Sequence, residues 1–208
     1  MRPCSACVCH CVQPVATEVQ VLVLQHPLEV GHAKNTGRLL HLCLPRSRLA
    51  VQEVWPPEAL DSLLHAPWDG DTTPPHTVLL YPPTPADPQL PVVAPPPLPA
   101  AWLQQPARLR LVVLDGTWRK SRKMLYANPG LQQLPRWSLH DVAASRYVIR
   151  KAHAPNQLSS FEATAYALAA LQRWPAEHPG LAQLLHSFDR AMAWHQQLQR
   201  SPLIPPKA

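Results

Sequence analysis

The sequence predicts an α/β protein with a mostly parallel sheet flanked by helices, and three observations predict it. Apolar strand-like runs alternate with helix-like segments along the chain, the order that parallel strands joined by crossover helices require. The stretch 108–125, RLRLVVLDGTWRKSRKML, passes from a nearly unbroken apolar run through a tight turn into a basic helix. Strands covered on both faces read in that way. Composition permits a real core, since 46% of the 208 residues are apolar and 15% are charged. The 27 prolines against 6 glycines point to proline-rich joints rather than a collagen-like repeat, and there is no internal repeat.

Residues 1–17 read as a short Cys-rich N-terminal segment. Cys4, Cys7, Cys9 and Cys11 fall in CSACVCHC, a density that suits Zn²⁺ held by thiolates. The spacing is cramped: C-x2-C runs straight into C-x-C, so four ligands need a strained wrap unless His10 or Cys43 substitutes for one. Reduced thiols on a frayed terminus are the other reading. A redox site lacks the C-x-x-C placement after a strand that thioredoxin-like chemistry uses.

Residues 18–199 read as one α/β domain. EVQVLVLQ at 18–25 is an apolar, β-branched strand, ended by His26-Pro27 because the residue before proline is pushed out of the helical region. Residues 35–43 place Leu39, Leu40 and Cys43 on one helical face. Lys34, Asn35, Thr36 and Arg38 cluster at its start, either to receive an anion or simply to cap it. A short strand at 49–54 is followed by a helix from Pro56-Pro57-Glu58 to His65, since proline is tolerated in a first turn. Residues 69–75 form a loop and TVLLY at 77–81 another strand.

The stretch from about 82 to 106 is too proline-dense for helix or central strand and reads as polyproline II or irregular connector. After the strand at 108–114, Asp115-Gly116 makes a turn. Thr117 is a fair N-cap for a helix that sets Trp118, Ser121 and Leu125 on one face. Strands are expected at 137–140 and 146–150. Ser159 and Glu162 have capping-box spacing and open a helix running to about Trp174. A last helix at 181–199 carries the stripe Leu181, Leu184, Leu185, Phe188, Met192 and His195. Residues 200–208 read as a disordered tail.

Charge is unevenly placed. Residues 108–151 hold 10 of the 19 Lys and Arg against 2 of the 13 Asp and Glu, within a chain of net charge +6. A basic window in an otherwise near-neutral chain is the footprint of a phosphate-backbone binder or a solvated basic face. No run approaches the length of a membrane helix, and no apolar stretch follows a basic N-terminus. With thiols that look unpaired, the expectation is a cytoplasmic protein.

Asp115 stands where a strand ends and a helix begins, beside Arg119, Lys120, Arg122 and Lys123. Open α/β sheets bind ligands at the carboxyl ends of their strands, while a turn Asp before a solvated helix explains the same pattern without a ligand. Four ordered blocks add to this. Asp115-Gly116-Thr117-Trp118 reproduces a D-x-T-W motif followed by RKSRKML. LQHPLEVGHAKNTGRLLHLCLP carries H-P-x-E and N-T-x-R as His26, Pro27, Glu29, Asn35, Thr36 and Arg38. LLYPP supplies a Y-P after a strand, and YVIRKAHAPNQLSSFEATA supplies Y-x-I-R-K and L-S-S-x-E-A.

In these blocks the chain resembles the DTW-domain family of tRNA-uridine aminocarboxypropyltransferases, over residues from about 4 to 166. Family members separate their C-x2-C and C-x-C pairs by a longer segment, which here is reduced to Val8. The resemblance implies a SPOUT-like fold with a trefoil knot near the C-terminal part of the sheet. It implies S-adenosyl-L-methionine as donor and transfer of its 3-amino-3-carboxypropyl group to N3 of a tRNA uridine, the variable-loop uridine in bacterial relatives. Methylthioadenosine leaves. Asp115 is then the candidate general base or orienting group, kept ionised by the helix N-terminus and the four cations.

The donor is expected against Tyr81, Pro82, Thr117, Trp118, Leu158, Ser159, Ser160 and Glu162. Trp118 either stacks on the adenine or anchors its helix in the core, and capping alone accounts for Ser159 and Glu162. The tRNA is expected on Arg119, Lys120, Arg122, Lys123, Arg146, Arg150 and Lys151, with Lys34 and Arg38 added. The rival functions are a non-enzymatic RNA-binding module with a metal knuckle and a SPOUT-type RNA methyltransferase. No membrane or protein partner is evident in the sequence.

Overall fold

A computed structural model describes residues 7–32, 35–68, 70–83, 93–139 and 158–200. Five strands form one sheet: β1 (Gln20–Gln25), β2 (Ser47–Val51), β3 (His76–Leu80), β4 (Leu109–Asp115) and β5 (Arg136–Trp137). Their order is β2-β1-β4-β3-β5, and every pairing is parallel. Six α-helices accompany them: α1 (Gly37–Cys43), α2 (Pro57–His65), α3 (Trp118–Ala127), α4 (Pro129–Gln132), α5 (Ser160–Leu171) and α6 (Pro179–Arg200).

The sheet is covered on both faces because its central strands are apolar in both directions. Every residue of β1 and β4 is buried. Side chains alternate across a strand, and the alternation sorts the core in two. Val21, Val23, Leu111 and Val113 meet Leu39, Leu40, Phe161 and Phe188 of α1, α5 and α6. Leu22, Leu24, Val112 and Leu114 meet Leu60, Leu64, Met124 and Leu125 of α2 and α3.

Most elements fall where the residues place them, and the differences have local causes. β2 begins at Ser47, ahead of the expected 49–54, because its start is tied to α1: the Ser47 hydroxyl donates to Leu44 O at 2.5 Å. The helix α5 ends at Leu171 rather than near Trp174, since Arg173 turns left-handed with φ of 51°. Within the connector, residues 100–104 wind into a short 3₁₀ turn that the proline density had hidden. β5 is confined to Arg136–Trp137 among the described residues, and α4 follows Asn128 where no element was expected. The expected strand at 146–150 lies outside the described residues. So does most of the stretch between β5 and α5, which a knot near the C-terminal part of the sheet would involve. Among the described residues no helix is long and apolar enough to cross a membrane.

Both ends of β4 are polar. At its start the Arg110 guanidinium is fully buried and donates to Gln20 Oε1 at 2.8 Å. It also donates to Leu63 O and Leu64 O at 2.8 and 2.9 Å and to Ala66 O at 2.9 Å. These carbonyls lie at the end of α2, where intrahelical donors run out; Leu64 O also accepts from the Thr77 hydroxyl at 2.6 Å. Trp68 lies 4.4 Å from the guanidinium. Burial pushes the Arg110 pKa down to about 10, still far enough above neutrality to keep the charge. At the other end stands Asp115.

Candidate active site

At the carboxyl edge of the sheet, Gln25 of β1 and Asp115 of β4 are register partners. From this point β1 leads to α1 on one face and β4 leads to α3 on the other. Such a divergence opens a crevice between neighbouring strands. Asp115 is 5% exposed, and its Oδ2 accepts a hydrogen bond from Gln25 Nε2 at 2.8 Å. The same amide nitrogen donates to Asn35 Oδ1 at 3.1 Å. Asn35 Oδ1 also accepts from Arg38 N at 3.0 Å and so caps α1, while Asn35 Nδ2 donates to Glu29 O at 2.7 Å. Thr36 occupies the N-cap position without a side-chain bond. His26 N donates to Asp115 O at 3.0 Å. Thus residues from the H-P-x-E, N-T-x-R and D-x-T-W blocks meet around one carboxylate.

The cations near Asp115 are arranged differently from the expected ring. Lys120 Nζ lies 2.6 Å from Glu29 Oε1 and Lys123 Nζ 2.6 Å from Glu53 Oε1. The Lys123 hydrogen bond holds the Glu53 carboxyl below its usual range. Two of the four positive charges on α3 are therefore shared with carboxylates from the β1–α1 and β2–α2 loops. Arg119 is exposed, Arg122 is half-buried, and Arg38 is exposed on α1. Lys34, Arg146, Arg150 and Lys151 lie outside the described residues.

Beside this network, a cavity of about 290 Å³ opens at the ends of β3 and β4. Tyr81, Pro82, Trp118, Leu158, Ser159 and Ser160 all line it. Segments about forty residues apart along the chain are thereby brought to one wall. The Tyr81 ring, 3% exposed, stacks on Trp118 at 5.2 Å with 15° between planes. The Arg136 guanidinium lies 5.6 Å from the Tyr81 ring. Burial pushes the Tyr81 hydroxyl up, so it stays a neutral phenol at physiological pH.

Ser159 and Glu162 complete a full capping box: Glu162 Oε2 accepts from Ser159 N at 2.9 Å, and Ser159 Oγ accepts from Glu162 N at 3.2 Å. Glu162 is 1% exposed and turned into that cap, while Ser159 and Ser160 remain on the cavity wall. Thr117 caps α3, accepting from Lys120 N at 3.4 Å. Trp118 is not buried in the core: the residue is 44% exposed. Asp115 itself sits behind the wall, next to Leu114 and Gly116, which line it.

Sequence reasoning missed Gln25, Ser121, Trp137 and Leu139, the last three on the cavity wall. Gln25 left one signal, a polar residue closing an otherwise apolar strand ahead of His26-Pro27. The wall positions left none, because only the fold brings them to the site.

The described cysteines of the candidate metal segment are divided between core and surface. Cys11 is 1% exposed and Cys43 fully buried, both packed in the apolar core, and burial pushes both thiols up. Cys7 is half-buried and Cys9 exposed, with Cys9 N directed at Cys7 Sγ at 3.4 Å. Among the described residues no three His, Cys, Asp or Glu side chains converge as metal ligands. Cys4 lies outside them.

Comparison with known proteins adds the following. The family model described as "DTW domain" matches residues 1–193. The chain is 28% identical over 188 residues to tRNA-uridine aminocarboxypropyltransferase 2 of Drosophila melanogaster, covering 89% of this chain and 70% of that protein. It is 29% identical over 178 residues to the Mus musculus protein of that name, covering 83% and 55%. It is 27% identical over 132 residues to tRNA-uridine aminocarboxypropyltransferase A of Arabidopsis thaliana, covering 61% and 48%. The chain thus spans about half the length of the mouse and Arabidopsis relatives. No solved structure matches.

Proposed function

The chain belongs to the DTW-domain family, and from that premise we propose that it is a tRNA-uridine aminocarboxypropyltransferase. One observation carries the reading: segments 81–82, 116–118 and 158–160 converge on a single cavity directly beside Asp115. Its wall combines the aromatic rings of Tyr81, Trp118 and Trp137 with the serines Ser121, Ser159 and Ser160. That combination suits a molecule with a flat base and a polar tail.

S-adenosyl-L-methionine, when bound there, supplies the 3-amino-3-carboxypropyl electrophile and a sulfonium leaving group that departs as methylthioadenosine. The chain's own residues have three tasks. Tyr81, Pro82, Leu158, Ser159 and Ser160 hold and orient the donor, with Thr117 and Trp118 at the rim. Asp115 receives the N3 proton of the uridine, or fixes the uracil N–H, as the new N3–C bond forms and the old C–S bond breaks. Removal of that proton by a placed carboxylate is worth roughly 10²–10⁴-fold. Arg38, Arg119, Arg122 and the lysines of α3 face the tRNA backbone, with Lys34, Arg146, Arg150 and Lys151 extending the basic window along the chain.

Incubation with S-adenosyl-L-methionine and unmodified tRNA, followed by nucleoside mass spectrometry, tests the reading. The expected product is 3-(3-amino-3-carboxypropyl)uridine. A methylated nucleoside would make the protein a methyltransferase, and no product with no donor binding by calorimetry would make it an RNA-binding module. Affinity for tRNA is expected to fall steeply with salt.

A further inference from the structure

Trp118 is the one aromatic ring among the exposed large apolar side chains of the described residues. It is the first residue of α3, at the mouth of the cavity. One of its faces is taken by Tyr81, and Tyr81 in turn lies beneath Arg136. Tyr81 is thus held between contacts to a guanidinium and an indole, and the indole is the member of the group that reaches solvent. A ring that served only the core would be covered. One that served only the donor would be enclosed as Tyr81 is, at 3% exposed, whereas Trp118 both lines the cavity and reaches solvent.

We propose that the outer face of Trp118 is a stacking shelf for a nucleobase of the RNA acceptor, a base presented out of its own stack. The inference rests on the transferase reading for its choice of partner. Every base has a flat face and stacks on indole regardless of sequence, which is how single-stranded RNA is gripped beside a basic surface. The neighbouring charge is suited to the task, since Arg119 is the next residue and is exposed. The Lys120–Glu29 ion pair binds the β1–α1 loop to the same helical turn. That loop offers further exposed apolar surface at Leu28 and Val30. A base on the shelf would lie at the cavity mouth, where a donor held within could reach it.

The test uses a fluorescein-labelled nonamer of uridylate and a nonamer of the same charge with abasic riboses, measured by anisotropy. The wild-type protein is expected to prefer the uridylate by about tenfold or more. Trp118→Ala should lose that preference while keeping the salt dependence of binding, and Trp118→Phe should retain most of it. Calorimetry with S-adenosyl-L-methionine on Trp118→Ala reads separately what the ring contributes to the donor at the cavity rim. No preference in the wild type, or an undiminished one in Trp118→Ala, overturns the shelf. A loss confined to the donor overturns it too and assigns the ring to the cavity. Because no catalysis is measured, the shelf can stand where the transferase reading fails, and a transferase that ignores Trp118 in RNA binding is equally visible.

Discussion

Strand β4 carries a buried charged side chain at each end, and the two are treated in opposite ways. Arg110 is surrounded by acceptors: three carbonyls of the α2 terminus and the Gln20 amide oxygen, with Trp68 near its guanidinium. Its surroundings exclude a ligand, and it serves to end one helix and join it to the sheet. Asp115, at the other end, accepts from the side chain of Gln25 and lies against a cavity wall built by other segments. A buried charge that completes its neighbours' hydrogen bonds is structural. A buried charge next to a cavity, held by a polar side chain from a neighbouring strand, is placed for use.

This contrast is most sharply tested by Asp115→Asn, which preserves shape and removes the carboxylate. Transfer should fall by roughly 10²–10⁴-fold, with tRNA binding and thermal midpoint little changed. Near-wild-type product with a lowered midpoint would make Asp115 a second Arg110 and dissolve the distinction. The converse change, Arg110→Met, should cost about 3 kcal/mol of folding stability, because it leaves several buried acceptors without donors. A chain of this size would then melt about 6–12 °C lower, with transfer at low temperature unaffected. A large loss of rate in a protein of unchanged midpoint would show the two ends to be coupled.

Next in size is Gln25→Leu. With the carboxylate no longer oriented, kcat should drop by about tenfold, a part of the general-base contribution, while KM for donor and tRNA moves little. Gln25→Glu should bring a like charge beside Asp115 and move the acidic limb of the pH–rate profile upward. An unchanged profile would mean that Gln25 does not act through Asp115.

The smallest effect is a pH dependence at the amino end of the sheet. Burial holds His41 and His76 below the usual histidine value. Between their folded values and about 6.5, the unfolded chain binds more protons, so stability falls as pH drops through that window. His41→Gln should flatten the slope of thermal midpoint against pH below neutrality. A slope unaltered in that variant would assign the effect elsewhere.

Much of the fold could be read from residues because the determinants are local. The apolar run of β4, the proline that opens α2 and the Ser159–Glu162 box each act within a few positions. Such interactions give the element without knowledge of the rest of the chain. The site was legible where it follows a strand end, as at Asp115 and Tyr81, or opens a helix with a capping box, as at Ser159. The Gln25–Asp115 contact spans 90 positions and depends on strand register, which no local pattern states. The pairing of Lys120 and Lys123 with glutamates from two other loops was likewise hidden, since a charge window counts cations without their partners. Trp118 looked like a core residue by helical spacing, but the face it shares with Ser121 opens onto a cavity at the first turn.

Gly37 gives the Asp115 arrangement a meaning for protein engineering. A glycine in the first turn of a helix is an obvious position to replace with alanine, the better helix former. Here an added methyl carbon would stand 2.6 Å from Asp115 Cγ and 3.0 Å from Gln25 Nε2. A routine stabilising substitution at position 37 would therefore act as a wedge, parting the carboxylate from the amide that aims it.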